Sequence, residues 1–381
     1  MSVAINLQAA SPEQTQKLPR GFYHPELDVL RFGAFLAVFI DHVIPQTPDL
    51  YVSHGIPHFV AAFIVNAVSS GRFGVMLFFL LSSYLITALL LREHAVRGRL
   101  DLRSFYIRRA LRIWPLYFFF IALCFWVMPA VTLGWPQISN VHKVSFALFV
   151  ANWSIVFFGP PHTPAIVLWS VSVEEQFYIF WPLVLVVFGC NQLRRLAYIL
   201  LAIATLTRLA LIPFHLPNSS IWPNTFVELD PIAIGALLAW LFRNSPPSFP
   251  FSLRMLLLFV GMALPMTALF YFGLTGWGIL ATGPLVTAGA GMVLVAVLTD
   301  SPSTWLRAGP LVYLGKISYG LYVFHMLMFG LAQKIAPDSR LIAILIALLG
   351  TVAIAAISYQ LLERPFLRLK ERFTHVVSRP A

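Results

Sequence analysis

The sequence has few charged residues and few cysteines. Asp, Glu, Lys and Arg make up 11% of its 381 residues, whereas 59% are hydrophobic, and the mean hydropathy is +0.80. A soluble globular protein carries about 25% charged and about 45–50% apolar residues. The shortage of charge therefore excludes a water-soluble enzyme, a disordered protein and a nucleic-acid-binding domain. The two cysteines, Cys124 and Cys190, lie in apolar runs, so we expect no disulfide framework and no metal site.

Acidic residues and lysine are scarce as well. The chain has 15 acidic residues against 26 basic ones, and only five of the basic residues are lysine. A net charge of +11 would indicate a polyanionic partner in a soluble protein. In a membrane protein the positive-inside rule collects basic residues in cytoplasmic loops, which explains the charge without nucleic acid. The preference for arginine also suits bidentate contacts with phosphate or carboxylate groups.

Long apolar runs are what the sequence has in excess. A spanning helix needs about 20 apolar residues, and eleven runs are candidates: about 28–44, 73–91, 113–129, 143–158, 168–189, 197–214, 227–242, 254–273, 278–299, 312–333 and 339–362. The loops between them test the count, because arginine-rich loops should all lie on one side. They do so only if the run 143–158, which ends at Gly159-Pro160-Pro161, does not cross.

These observations predict an all-α fold: a polytopic bundle of about ten transmembrane helices plus one re-entrant or interfacial helix. Both termini are then cytoplasmic, with tails at 1–20 and 367–381 around a transmembrane domain at 21–366. The segment 92–112, which holds seven arginines, is cytoplasmic, and the loop 45–71 is external.

Arg31 and His42 form the first candidate site. Ionisable residues inside a bundle are costly and indicate function by default. The two residues lie eleven positions apart, about three helical turns, so they share one face about 16 Å apart along the axis. The alternative interpretation makes both of them anchors at the two ends of the span.

Glu174 and Glu175 form the second candidate site. They lie in the segment LWSVSVEEQFYIFWP, which places two adjacent carboxylates inside the outer half of a span. Interface anchoring does not explain such a costly pair. It is the sharpest physical signal in the chain.

Arg108, Arg109 and Arg112 enter the third span from the cytoplasmic side. Arg108 and Arg112 are one turn apart, a spacing suited to clamping a diphosphate. The alternative interpretation is an ordinary positive-inside anchor.

Three more intramembrane residues are candidates for substrate binding: Arg72, Asp230 and His325. Arg72 stands at the outer mouth of the second span, and Asp230 opens a span from the outer side. Arg72 and Asp230 gather with His42 and Glu174 toward the external half, whereas Arg31 and the Arg108 group lie toward the cytoplasm. This distribution predicts a site that is reachable from both sides of the membrane.

The sequence resembles the membrane-bound acyltransferase-3 family, bacterial enzymes that O-acylate envelope polysaccharides, glycolipids and some antibiotics. The resemblance covers about residues 22–366 and rests on ordered blocks: Arg31 with His42, GRFGVMLFFLLSSYLIT, FYIRRALRIWPLY, LWSVSVEEQFYIFWP, DPIAIGALLA, ISYGLYVFH and LERPF. Little sequence follows LERPF, so we expect no fused soluble hydrolase-like domain.

The resemblance implies transfer of an acyl group, commonly acetyl, from cytoplasmic acyl-CoA to a hydroxyl of an envelope carbohydrate or glycolipid. It marks Arg31 and His42 as the essential first-span site of an enzyme in the bacterial inner membrane. We expect His42, Arg31 and Glu174 to be catalytic. Substrates are expected to meet the remaining candidates: Arg72, Arg108, Arg109, Arg112, Glu175, Asp230 and His325. Acyl-CoA is then a donor substrate, and no permanently bound cofactor is expected.

Two questions stay open at the level of sequence. His42 could act as a general base on the acceptor hydroxyl or carry the acyl group covalently. A secondary transporter, a flippase or a polysaccharide polymerase could also use intramembrane charges. A transporter is disfavoured because the sequence has no internal repeat and no matched pair of broken spans. Binding of acyl-CoA would separate the enzyme from a transporter or a flippase.

Overall fold

The computed structural model describes residues 23–132, 135–298 and 307–374. Within these ranges the regular structure is helical and contains no β-strand, which confirms the all-α class. The helices of the first half are α1 (Pro25–Val43), α2 (Pro48–Ser53), α3 (His58–Ser69), α4 (Gly74–Arg97), α5 (Leu102–Ala122), α6 (Met128–Val131), α7 (Asn140–Ala147), α8 (Ala151–Phe158) and α9 (Trp169–Phe188). Those of the second half are α10 (Leu193–Leu211), α11 (Asn218–Ile221), α12 (Leu229–Leu241), α13 (Phe251–Phe272), α14 (Ile279–Val297), α15 (Gly309–Lys316), α16 (Ser318–Ile335), α17 (Arg340–Ser358) and α18 (Arg364–Glu371).

Short helical turns extend or join these helices. The 3-10 turns are Ser70–Phe73, Pro164–Leu168, Cys190–Gln192, Ile212–Phe214 and Gly276–Gly278. Two π-helical turns, Leu123–Val127 and Tyr359–Glu363, lie at the ends of α5 and α17.

Seven helical segments in the described ranges are long and apolar enough to cross a membrane: His58–Arg97, Leu102–Val131, Pro164–Phe188, Cys190–Phe214, Phe251–Phe272, Gly276–Val297 and Arg340–Glu371. The pair α15 and α16, bent by 70°, makes an eighth if it is one span. The two other predicted spans correspond to α1, which carries several charged residues, and to α12, which has 13 residues. The protein is therefore a helical membrane protein, and the count of ten stays a prediction.

The run 143–158 folds into α7 and α8, two helices of eight residues each. A helix of this length is about 12 Å long, far less than the roughly 30 Å of a bilayer core. Phe149 between them has a φ of 56°, so the chain turns sharply there. Neither helix crosses a membrane by itself, in agreement with the charge pattern.

Glycines bring α1 close to α4. A Cβ on Gly71 or Gly74 would stand less than 3.0 Å from the carbonyl oxygens of Ala37 and Ala34 on α1. Small residues permit this close approach of helix backbones in membrane bundles. α16 packs against the same helix, so residues of α1, α4 and α16 line one central region.

The connection between α4 and α5 is tight, which fixes the position of the arginines at the start of α5. Gly98 ends α4 with a φ of 69°, and its N–H donates to the carbonyl of His94, a common helix ending. Asp101 caps α5 by accepting from the N–H of Ser104 at 3.1 Å, as N-cap residues do. α18 packs against α5, so the described C-terminal residues lie near this arginine-rich end.

Candidate functional site

His42 and His325 form a pair inside the bundle. The Nδ1 atom of His42, in the last turn of α1, lies 2.9 Å from Nε2 of His325 on α16. The two rings stack with centroids 5.1 Å apart and planes at 25°. The side chain of His325 is fully buried, and the rings of Phe35 and Phe39 pack around it. The site residues His42 and His325, 283 positions apart in sequence, are thus brought into contact.

The protons of this pair follow from its partners. Nδ1 of His325 lies 2.5 Å from the carbonyl oxygen of Tyr322, and a carbonyl oxygen only accepts hydrogen bonds. Nδ1 of His325 therefore donates, so in a neutral ring Nε2 accepts a hydrogen bond from Nδ1–H of His42. This chain of hydrogen bonds leaves Nε2 of His42 without a proton. Nε2 of His42 can therefore accept a proton, as a general base must.

A pocket opens at the arginine-rich end of the bundle; His42 and His325 do not line it, but Tyr322, whose carbonyl binds His325, does. Counting its open mouth, it has a volume of about 1490 Å³. We call it the arginine pocket, because its lining includes Arg31, Arg108, Arg109 and Arg112. At its far end the lining is largely apolar and aromatic: Val75, Phe78, Phe79, Val171 and Tyr322. We call this far end the apolar end. Tyr322 lines it and also accepts the hydrogen bond from His325.

The arginines of the pocket differ in their partners. Arg108 donates to Glu93 Oε2 at 3.1 Å and to the carbonyl of Phe373 at 2.8 Å. Its guanidinium is thus already hydrogen-bonded within the fold. This differs from the predicted role of Arg108 in clamping a diphosphate. Arg31 pairs with Asp28 at 3.3 Å.

Arg109 and Arg112 make no hydrogen bond to the residues that the structure describes. The Nε atom of Arg109 is buried without a partner. Its guanidinium lies 5.5 Å from the ring centroid of Phe105 and 5.6 Å from that of Tyr178, within the range of cation–π contacts. A buried donor without a partner is costly. These two arginines are therefore the ones available to a negatively charged ligand.

Glu174 lines the same pocket. It accepts hydrogen bonds from Ser82 Oγ at 2.9 Å and from the Tyr178 hydroxyl at 3.1 Å. The sequence predicts that Glu174 lies in the external half, apart from Arg31 and the Arg108 group. The structure corrects this separation, because the long pocket reaches from the arginine-rich end to the middle of α9.

Glu175 points elsewhere, because neighbouring residues on a helix face apart. Its Oε2 accepts from the indole N–H of Trp114 at 3.1 Å, and its Oε1 is buried with no hydrogen-bond partner in the part of the chain that the structure describes. Glu175 does not line the arginine pocket. The structure therefore separates the two adjacent carboxylates.

Arg72 lies beside the end of α1 that carries His42. It donates to the carbonyl of Ser69 at 2.9 Å and to Gln46 Oε1 at 3.0 Å, and its guanidinium is 3.5 Å from Asp41 Oδ1. Gln46 also donates to Asp41 Oδ1 at 2.8 Å. Asp41 is thus occupied by Gln46 and Arg72 rather than by its neighbour His42.

Asp230 is part of a separate buried cluster. Its Oδ2 accepts a hydrogen bond from Nη1 of Arg208 at 2.6 Å, and Nη2 of Arg208 donates to the carbonyl of Val227. Glu228 is fully buried, and neither of its side-chain oxygens has a hydrogen-bond partner among the described residues. Neither Asp230 nor Arg208 lines the arginine pocket, so the position of Asp230 gives no support to a role in sugar binding.

Several residues of this region are not among the site residues predicted from the sequence. Tyr322 and Ser82 lie within quoted motifs but carry no charge, so nothing set them apart. Gln46 follows the first span and has no motif of its own. Arg208 was detectable as a lone arginine inside the apolar run 197–214.

The apolar helices, the buried histidine pair and the arginine-lined pocket that Tyr322 joins to it define a helical membrane protein with an internal polar site. The chain belongs to the acyltransferase domain family, which matches residues 24–360. This match confirms the resemblance drawn from the motifs. Within the described residues, no group of three or more His, Cys, Asp or Glu could hold a metal ion.

Among curated proteins, the chain is similar to O-acetyltransferases of Staphylococcus aureus. It is 28% identical over 382 residues to one that is provisionally named an O-acetyltransferase, covering 90% of this chain and 57% of the relative. It is 26% identical over 383 residues to the O-acetyltransferase OatA, covering 93% of this chain and 58% of the relative. The chain thus spans a little over half the length of these relatives. No solved structure matches it.

Proposed function

We propose that the protein is an integral-membrane O-acyltransferase. It moves an acyl group, acetyl in the simplest case, from acyl-CoA to a hydroxyl of an envelope carbohydrate or glycolipid. The family and the names of the relatives support the O-acetyl transfer. The single observation that carries the rest is the continuity of the site: Tyr322 lines the far end of the arginine pocket and holds His325, which in turn orients His42.

The arginine pocket is the donor site in this proposal. Coenzyme A carries a diphosphate and a further phosphate at one end and the thioester at the other. Arg109 and Arg112 line the pocket with guanidinium groups that make no hydrogen bond to the described residues, and arginine binds phosphate oxygens in bidentate fashion. With the phosphates at the arginines, the thioester points toward Tyr322 and the histidine pair.

His42 is the general base. Its Nε2 takes the proton of the acceptor hydroxyl while the hydroxyl oxygen attacks the thioester carbonyl carbon. When the tetrahedral intermediate collapses, the C–S bond breaks and the leaving thiolate takes the proton from His42. The products are the ester and coenzyme A with a free thiol. His325 keeps His42 in the tautomer that this step requires.

A covalent route is the alternative for His42. Its Nε2 would attack the thioester carbonyl carbon, the C–S bond would break, and coenzyme A would leave as a thiolate. The acceptor hydroxyl would then attack the acyl carbon, the C–N bond to His42 would break, and the hydroxyl proton would pass to the thiolate. Incubation with labelled acetyl-CoA in the absence of acceptor separates the two routes. The covalent route leaves label on His42, whereas the general-base route leaves the chain unlabelled.

The donor site is tested by replacing Arg109 and Arg112 together with lysine. Lysine keeps the charge but lacks the planar fork. We expect the affinity for acetyl-CoA to fall about tenfold, which corresponds to about 1.4 kcal/mol. Arg103→Lys is the matched control, because Arg103 is an exposed residue of the same helix outside the pocket.

Two outcomes contradict the proposal in different ways. Equal affinities of the double variant and the wild type, at low and at high salt, would remove the arginines from the donor site. A wild-type protein that binds no acyl-CoA would instead favour a transporter or a flippase.

The proposed location is the bacterial inner membrane, with ten spans and both termini in the cytoplasm. This orientation puts the mouth of the arginine pocket on the side where acyl-CoA is made available. It is tested with a cysteine at position 194 in a chain whose Cys124 and Cys190 are replaced by serine. We expect Arg194→Cys to react with an impermeant thiol reagent only after the cells are opened. Labelling in intact cells would overturn the orientation.

A further inference from the structure

The apolar end of the arginine pocket is lined by aromatic rings. Phe78 on α4 and Tyr322 on α16 both line it. Their ring centroids are 5.7 Å apart with planes at 65°, an edge-to-face contact of the favourable kind. Val75, Phe79 and Val171 also line this end. None of these side chains carries a charge, in contrast to the opposite end of the pocket.

The Tyr322 ring is held in place from several sides. Its hydroxyl lies 2.8 Å from Ser170 Oγ and 3.0 Å from the carbonyl of Val167. Its backbone carbonyl accepts the hydrogen bond from His325, and its ring centroid is 5.6 Å from that of His325. A side chain fixed in this way is a rigid part of the pocket wall, on the side where His325 and His42 lie.

The positions of the charges decide which end of a donor meets this wall. The phosphates of an acyl-CoA are drawn to Arg109 and Arg112, so its acyl group reaches the apolar end. There the acyl group must be small enough for its thioester carbonyl to reach His42 beside Tyr322. We infer that Phe78 and Tyr322 form the wall that limits the length of the acyl group and restricts the donor to short chains. This inference rests on the proposed function and adds to it the residues that determine acyl specificity.

Phe78 is the better residue for a test, because it does not support His325. Removing its ring enlarges the apolar end and leaves the hydrogen bonds of Tyr322 in place. One extra methylene in an apolar pocket changes selectivity by about tenfold or more. We expect the wild type to prefer acetyl-CoA to butyryl-CoA by about tenfold or more, and we expect Phe78→Ala to reduce this preference by about tenfold.

The experiment uses the full chain in membrane vesicles of the producing bacterium, which contain its natural acceptor. Acetyl-CoA and butyryl-CoA with different isotopic labels compete at equal concentrations, and the mass of the acylated products gives the ratio of the two transfers. Binding of each acyl-CoA to the purified chain is measured in parallel. Phe180→Ala is the control, because Phe180 is a ring on α9 that is 62% exposed and outside the pocket.

A second variant separates the ring of Tyr322 from its hydroxyl. Tyr322→Phe keeps the wall but loses the hydrogen bonds to Ser170 and Val167, so its chain-length preference should stay close to that of the wild type. If Phe78→Ala is not recovered from membranes, Phe78→Leu replaces it and should give a smaller change in the same direction.

The possible results are distinct. The inference about the wall is wrong if the wild type accepts both donors equally, or if the Phe78 variant keeps the full preference for acetyl-CoA. Either result leaves the proposed function intact. Absence of binding and transfer with either acyl-CoA in the wild type defeats the proposed function itself. A reduced preference in the Phe78 variant together with an unchanged Phe180 control supports the inference.

Discussion

Arg208 and Arg109 are both arginines inside the helix bundle, but only Arg208 has hydrogen-bond partners among the described residues. Arg208, 1% exposed, is bound by Asp230 at 2.6 Å and by the carbonyl of Val227. Arg109 lies between the rings of Phe105 and Tyr178, with a buried Nε that meets no acceptor.

The difference distinguishes a structural charge from one that is available to a ligand. In the buried pair of Arg208 and Asp230, each charge compensates the other, so loss of one partner leaves an isolated charge in the bundle. The guanidinium of Arg109 faces a pocket with room for a ligand. A variant of a structural charge should lose stability first, whereas a variant at the site should lose binding or activity first.

The largest expected effect is the loss of acyl transfer on replacing His42, a residue of the site. His42→Ala should lower acyl transfer by about a hundredfold to ten-thousandfold, the usual contribution of a general base, with normal expression and membrane insertion. Transfer is measured in membrane vesicles with labelled acetyl-CoA. His54→Ala is the control, because His54 is exposed and its hydrogen bonds are to its neighbours Ser53 and Leu50. Near-normal transfer in a well-expressed His42→Ala variant would refute both routes for His42.

Variants of the Arg208 cluster should act on stability, and unequally. Breaking a buried ion pair costs about 3–5 kcal/mol. Arg208→Met leaves the carboxylates of Asp230 and Glu228 without a cation, whereas Asp230→Asn leaves Glu228 close enough to interact with Arg208. We therefore expect Arg208→Met to lower the melting temperature of the purified protein more than Asp230→Asn. Equal decreases in melting temperature would mean that Glu228 does not interact with Arg208.

A smaller effect is expected at His325, which acts through His42. His325→Leu removes the acceptor for Nδ1–H of His42, so kcat should fall about tenfold to a hundredfold while the affinity for acetyl-CoA is retained. His325→Gln places a carbonyl oxygen near the position of Nε2 and should restore part of kcat. If both variants lose activity and stability together, His325 is a packing residue and does not position His42.

The smallest effect is expected at Arg108, which resembles Arg208 although it lines the pocket. Its bonds to Glu93 and to the Phe373 carbonyl make it a link between α4, α5 and the residues after α18. Arg108→Gln should lower stability by about 1 kcal/mol and weaken acetyl-CoA binding less than replacement of Arg109 and Arg112 does. An affinity loss as large as that of the double variant would place Arg108 among the phosphate ligands and remove the contrast between engaged and available arginines.

Much of this organisation could be predicted from local sequence. The apolar runs mark the long helices, and the spacing of Arg31 and His42 puts both on one helix, as α1 confirms. The run 143–158, with its polar start and its Gly-Pro-Pro end, forms two helices that are too short to cross. These features depend on length, hydropathy and periodicity, which neighbouring residues decide.

The partners of each charge were decided by the tertiary structure alone. Sequence reasoning treated Glu174 and Glu175 as one site, but helix rotation turns the first toward Ser82 and the second toward Trp114. It treated Arg108 and Arg112 as one clamp, but the packing of α18 on α5 brings a carbonyl to Arg108 only. It could not join His42 to His325, because that contact depends on the packing of α1 against α16. The sequence determines which charges the membrane must accommodate, and the helix packing determines which of them are neutralised within the fold.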